Sequence, residues 1–335
     1  MRDNKQKYCK NCIFPYGLGA INPTTGKPML FREVKNVLLC EACVDILSLG
    51  NFPSRKYFEK EFEEYLNNHN KLLYAYSGGL DSTVVLTLLV KKCREKGINL
   101  DIFTIDTGVK GKITDFNIRA IIKYLGLENQ HFFVNIANEI QNNPKIVSIA
   151  GKSISTLKFY SLCLQKNILP CGRLCNAIID AVYERIMKEK RYTELITGGD
   201  TPKKTNGGGY SIFWKKPSGI KIIRGGYAFN LSKKKNTQYL KENKIPWVNC
   251  QCGGYDTDCL IPGVFFARGL GGQSKVTLER VVDKYPIIIN YLTERVRFGI
   301  IERREALKML TNIDIASLKT YIELESIFSE AKEKN

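Results

Sequence analysis

Histidine is nearly missing from this chain: His69 and His131 are the only two among 335 residues. A metal centre built on several imidazoles is therefore excluded. No run of roughly 18 apolar residues occurs, which excludes a helix able to cross a bilayer. Acidic residues are also scarce, 33 Asp and Glu against 51 Lys and Arg, for a formal net charge of +18. That surplus is unlike a typical small-metabolite enzyme and favours a polyanionic partner. The opening Met1-Arg2-Asp3-Asn4-Lys5-Gln6-Lys7 has no apolar export core, so a cytoplasmic location is the expectation. There is no internal repeat, and the glycine-containing loop at 77–82 lacks the Gly-Lys-[Ser/Thr] ending of a Walker phosphate loop.

What is present alternates. Leu72 to Tyr76, Leu100 to Asp106, His131 to Asn135 and Glu194 to Thr197 are short apolar runs. Helical periodicity separates them over Thr83 to Lys92, Asp115 to Leu125 and Asn176 to Glu189. Alternating strands and helices predict an α/β fold with a doubly wound, mostly parallel sheet covered on both faces. Residues 1–50 form a small cysteine module, 51–70 a linker helix and 71–200 the α/β domain. Residues 201–275 read as a basic, Gly- and Cys-rich substrate-facing insertion, and 276–335 as a helical region including Arg303 to Leu310 and Ile315 to Ala331.

The first strand runs into Ser77-Gly78-Gly79-Leu80-Asp81-Ser82 and then into a helix. Two glycines allow close backbone approach, and a helix N-terminus offers N–H groups to an anion, so phosphate is the expected ligand. This segment resembles the Ser-Gly-Gly-x-Asp-Ser motif of the PP-loop (ATP-pyrophosphatase, adenine nucleotide alpha hydrolase-like) superfamily, over about residues 70–200. The resemblance implies ATP cleaved between its α and β phosphates, adenylation of a substrate oxygen, and displacement of AMP by sulfur or nitrogen. It implies that Ser77, Gly78, Gly79, Leu80, Asp81 and Ser82 cradle pyrophosphate, with Asp81 near Mg²⁺. Asp106 and Thr107 would lie beside adenine or ribose, and Gly198, Gly199 and Asp200 would close the site. For Asp106 and Asp200, helix capping is an alternative.

Eleven cysteines in a chain without an export signal read as thiols or metal ligands rather than disulfides. Cys9-x2-Cys12 and Cys40-x2-Cys43, with 27 residues between the two pairs, make the two knuckles of a four-sulfur zinc site. Cys171-Gly172-Arg173-Leu174-Cys175 precedes the helix leading to Gly198. Its position and residues are similar to tRNA-thiolating PP-loop enzymes, in which a cysteine pair and a third downstream cysteine hold an iron–sulfur cluster or act as a catalytic pair. The spacing here is Cys-x3-Cys, and cluster ligation and persulfide chemistry both stay open. Cys250, Cys252 and Cys259 are the candidates for the third position. A helix N-terminus would lower the Cys171 pKa; Cys93 and Cys163 read as core.

Half of the net charge lies between Asp200 and Asn249, where eleven basic residues face two acidic ones. Tyr210, Phe213, Trp214 and Tyr227 are interleaved with them, a composition suited to phosphate contact and base stacking. Loop, inner cysteines and basic segment together lead to ATP-dependent thiolation of a tRNA base. The partners would be tRNA and a sulfur donor or sulfur-carrier protein, with a homodimer admitted and no membrane. The alternative is amidotransfer to an N-acetyl sugar with a glutaminase partner. That family is similar in its Cys-x2-Cys pair ahead of the loop and in Arg297-Phe298-Gly299-Ile300-Ile301-Glu302-Arg303-Arg304-Glu305-Ala306-Leu307.

Overall fold

The computed structural model describes residues 8–18, 27–50, 52–166, 168, 170, 171, 174–205, 207–216, 219–229, 231–249, 259, 261, 282 and 286–311. Cys250, Cys252 and the helix expected over 315–331 lie outside the described residues.

The chain begins with a hairpin of β1 (Phe31–Val34) and β2 (Val37–Cys40). Its two-residue turn, Lys35-Asn36, has φ values of 49° and 59°, the left-handed pair that matches strand twist in a tight hairpin. α1 (Glu41–Ser48) starts directly after β2, so Cys40 and Cys43 sit at its N-cap and first turn. α2 (Arg55–Asn67) is capped by the Ser54 hydroxyl and buries Phe58, Phe62 and Leu66, four residues apart. This is the expected linker helix, and its buried stripe seats it on the main domain.

The α/β domain comprises β3 (Lys71–Ala75), α3 (Leu80–Lys96), β4 (Asn99–Asp106), α4 (Lys112–Tyr124), β5 (His131–Asn135), α5 (Ala137–Gln141), α6 (Pro144–Ala150), α7 (Thr156–Gln165), α8 (Leu174–Lys190) and β6 (Glu194–Thr197). The sequence-based strands and helices fall on these, apart from the short α5 to α7. Beyond them come β7 (Lys203–Lys204), β8 (Tyr210–Ser211), β9 (Phe213–Lys215), β10 (Lys221–Arg224), α9 (Gly225–Ala228), α10 (Lys233–Glu242), α11 (Pro286–Arg297) and α12 (Arg303–Thr311).

The six-stranded sheet has the order β5-β4-β3-β6-β10-β9. All pairings are parallel except β9 with β10. Residues 201–275 are thus not only an insertion: β10 pairs with the edge of β6, burying Ile222 and Ile223. Successive strand residues point to opposite faces. Leu72, Tyr74, Ile102, Ile196 and Ile223 join the core under α2, α3, α4 and α10. Leu73, Phe103, Leu195 and Ile222 join the core under α5 to α8. Both faces are covered, which is why these strands read as continuous apolar runs. Among the described residues no helix is long and apolar enough to cross a membrane.

The strand order reverses between β3 and β6. In open α/β sheets the crevice at the carboxyl ends of such strands receives ligands, and Ser77 and Gly198 follow those two ends.

One buried histidine gives the fold a pH dependence. His131 Nε2 lies 2.9 Å from Thr104 Oγ1. Burial, with the charges of Lys110 and Arg119 adding, holds its imidazole down at about 4. A histidine held below its ordinary value favours the neutral ring, so its contribution is complete above about pH 6.5 and is lost as pH falls toward 4. Urea unfolding should therefore show His131→Gln losing about 2 kcal/mol less than the wild type between those pH values.

Candidate functional site

The Ser77–Ser82 loop is held from both ends. Ser77 Oγ lies 2.9 Å from Ser82 Oγ. Thr83 donates to Gly79 O through its N–H at 2.9 Å and its hydroxyl at 2.8 Å. Tyr74 Oη donates to Ser82 O at 2.7 Å, and Tyr76 Oη lies 3.0 Å from Thr83 Oγ1. Strand β3 thus pins the first turn of α3, where the N–H groups of Leu80, Asp81 and Ser82 have no intrahelical acceptor. Gly78 has φ +89° and would drive a Cβ to 2.7 Å from Ile118 Cγ1.

Two residues outside the motif close on it. Lys110 Nζ donates to Ser77 O at 3.1 Å, and Trp247 Nε1 to Gly78 O at 3.1 Å. The segment after Trp247 is strapped to α4, where Asn117 Nδ2 donates to Val248 O at 2.7 Å and Val248 N–H to Asn117 Oδ1 at 2.8 Å. Sequence reasoning missed Lys110 and Trp247 because their loop contacts join residues 33 and 169 positions apart.

Beside the loop lies a cavity of about 120 Å³ lined by Ala75, Tyr76, Ser77, Ile105, Thr107, Lys110, Ile179 and Tyr183. The Thr107 hydroxyl is buried there with no hydrogen-bond partner among the described residues, which suits a polar ligand group. Asp106 is exposed and accepts the Gly108 N–H at 2.9 Å; it closes a turn and caps no helix.

The far wall is a buried charge cluster. Arg295 of α11 grips Asp200 with both carboxylate oxygens engaged, at 2.8 Å and 2.7 Å. Asn236 of α10 donates to Asp81 Oδ1 at 2.6 Å. Burial pushes the Asp81 carboxyl up, while the charge of Lys233 acts against it. Asp200 is therefore an ion-pair partner rather than a helix cap. Gly198 and Gly199 belong to packing: a Cβ on Gly198 would meet Ser82 Cα at 2.7 Å, and one on Gly199 the Arg224 guanidinium at 2.5 Å.

Cys171, Cys175 and Cys259 lie together at the edge of the core under α8, around the buried Tyr160. Cys259 forms an isolated bridge with Lys110, the residue whose amine reaches Ser77. Cys175 is one and two turns ahead of Ile179 and Tyr183 on α8, about 6 Å and 12 Å along its axis, and both line the cavity. The expected low pKa of Cys171 is corrected. α8 begins at Leu174, so Cys171 precedes the helix, and its hydrogen bond to Cys175 pushes its thiol up while pulling Cys175 down. Cys93 and Cys163 are buried as expected.

The basic segment divides between ion pairs and open surface. Lys203 pairs with Glu294 at 2.6 Å, Lys204 with Asp45 at 2.9 Å, Lys221 with Glu194 at 3.2 Å and Lys216 with Asp180. Arg224 is bound to Thr201. Tyr210 and Tyr227 pack on Phe298, and Phe213 on Tyr65. These aromatic faces are consumed by the fold, while Lys204, Lys215, Lys221, Lys234, Lys235, Lys241 and Lys244 stay exposed.

Cys9, Cys12, Cys40 and Cys43 are fully buried, and their sulfurs all lie within 4.8 Å of one another. Among the described residues no other set of three or more Cys, His, Asp or Glu donors gathers so closely. Backbone N–H groups of Phe14 and Cys40 point at Cys12 Sγ and Cys9 Sγ, at 3.4 Å and 3.2 Å. Hydrogen bonds among the four push Cys43 down to about 7 and Cys12 up. Such crowded sulfurs repel one another as thiolates, and a dication relieves this, so the donor set fits a tetrahedral thiophilic ion such as zinc. Among the described residues, Cys171, Cys175 and Cys259 do not gather so closely.

No family model matches the chain. A curated relative, the uncharacterized protein MJ1599 of Methanocaldococcus jannaschii, is 27% identical over 279 residues, covering 80% of this chain and 84% of the relative. Among solved structures, the U34-tRNA thiolase NcsA from Methanococcus maripaludis with its [4Fe-4S] cluster aligns over 92% of this chain and 90% of its own. The TM-score is 0.42 and the identity 15%.

Proposed function

We propose that this chain is an ATP pyrophosphatase that adenylates a carbonyl oxygen of a tRNA base and inserts sulfur in its place. In the first step the substrate oxygen attacks the α-phosphorus of Mg²⁺-ATP and pyrophosphate leaves. The Ser77–Ser82 N–H groups and the dipole of α3 bear the developing charge, with Asp81 near the magnesium. In the second step the outer sulfur of a persulfide on Cys175 attacks the activated carbon and AMP departs; the Cys171 thiolate then attacks Cys175 Sγ, which frees the thiolated base and leaves a Cys171–Cys175 disulfide for an external thiol to reduce.

The observation that carries this reading is the gathering of Cys171, Cys175 and Cys259 on the Lys110 side of the loop. An amine-inserting reaction has no use for three thiols there. The two end motifs that resemble amidotransferases support that alternative less than they first suggest. Arg297 lies 3.9 Å from Cys40 Sγ and Arg303 donates to Cys12 O at 3.1 Å, so they form one structural unit and count once.

The test is incubation of the protein, purified anaerobically, with ATP, Mg²⁺, a bulk tRNA pool, a persulfide donor and excess thiol reductant. AMP, pyrophosphate and a thionucleoside should form in equal amounts, and Asp81→Ala should lower all three by about 10²-fold or more. Product formation only with an N-acetyl sugar and an amine donor would establish the alternative.

A further inference from the structure

The end of α11 touches two centres at once. Arg295 and Arg297, two residues apart, leave a helix about 200° apart, and so point to opposite sides. Arg295 holds Asp200 at 2.7 Å and 2.8 Å, close enough to Asp81 for its charge to act on that carboxylate. Arg297 reaches Cys40 Sγ at 3.9 Å and faces the charges of Cys12 and Cys43. Between them Phe298 is wedged among Phe52, Tyr210 and Tyr227, with ring centroids at 5.7, 5.3 and 6.1 Å. A second strut runs alongside: on β7, Lys203 binds Glu294 of α11 while Lys204 binds Asp45 of α1, two residues beyond Cys43.

We propose that the metal-bound Cys9-Cys12-Cys40-Cys43 module is a positioning element of the nucleotide site, so that affinity for a nucleoside triphosphate depends on a metal ion that touches no nucleotide. The inference rests on the nucleotide reading of the Ser77–Ser82 loop. Four thiolates around a dication carry a net charge of about −2, a fixed partner for the Arg297 guanidinium. That pairing fixes the end of α11, and hence the angle at which Arg295 holds Asp200 beside Asp81. Without the ion the quartet loses the binding free energy that keeps its two knuckles together, and Arg297 loses its anchor. Arg297 is thus a positioning residue for the loop, acting through Arg295.

The experiment uses the full chain and a non-hydrolysable ATP analogue with Mg²⁺, with affinity read by calorimetry, metal by elemental analysis and fold by circular dichroism. Removing the ion with a mercurial and a chelator should weaken the analogue about tenfold with the sheet and helices retained. Arg297→Ala should do the same, and Arg297→Lys, which keeps the charge, should recover part of the loss. Arg295→Ala should weaken the analogue at least as much while retaining the metal. If Arg297→Ala does not fold, the metal-depleted wild type and Arg297→Lys decide the matter. Unchanged affinity after metal loss would overturn the coupling alone. Failure of the metal-loaded wild type to bind the analogue would overturn the nucleotide reading and the coupling with it.

Discussion

On the proposed reading, Gly78→Ala should weaken ATP binding by about 10²-fold or more and suppress AMP release. Two costs combine. A non-glycine residue at φ +89° occupies the left-handed region at about 1–2 kcal/mol. Its Cβ would also lie 2.7 Å from Ile118 Cγ1 and 3.0 Å from Thr114 Cγ2, so α4 has to move off the loop or the loop off α4. Either movement turns the first N–H groups of α3 away from the phosphates. Gly97→Ala is the control. Gly97 ends α3 at φ +67° with nothing within 4 Å of an added Cβ. That change should cost about 1 kcal/mol of stability and leave ATP affinity unaltered. Equal effects of the two substitutions on ATP binding would show that the loop acts only through global stability.

Cys175→Ala stops sulfur incorporation by at least about 10³-fold while pyrophosphate release continues. Its position in the first turn of α8, one turn before the cavity-lining Ile179, separates the two half-reactions. In the proposed reaction the loop and Mg²⁺ would serve adenylation, and the thiol would be needed only when AMP is displaced. The readout is pyrophosphate and thionucleoside in the same reaction. An unchanged thionucleoside yield from the variant would remove Cys175 from the chemistry, whereas parallel loss of both products would point to misfolding of α8.

Much of the α/β domain was legible before any coordinates. β3, β4 and β6 are apolar runs because their central residues are buried on both faces of the sheet, and α3, α4 and α8 keep helical periodicity over 13 to 17 residues. The helices α5, α6 and α7 were not read, since 5 to 10 residues are too few to display a period. β10 escaped because Ile222-Ile223 between Lys221 and Arg224 carries no alternation. It becomes a strand only when the free edge of β6 offers it parallel hydrogen bonds.

The loop and the outer cysteines were determined by the sequence alone, because each owes its property to near neighbours. Gly78 and Gly79 shape a turn within six residues, and each Cys-x2-Cys knuckle brings two sulfurs together by local geometry. The fate of the charges was decided only by tertiary structure. Lys203, Lys204, Lys216 and Lys221 looked like a nucleic-acid face, and most of the interleaved aromatics like stacking platforms, until each was found committed to a partner elsewhere in the chain. Arg295 and Arg297 take their roles from Asp200 and Cys40, which the fold places beside them across 95 and 257 residues. A charged side chain is compatible with water, a polyanion or an ion pair. The choice depends on which opposite charge the fold buries next to it, and no local pattern encodes that.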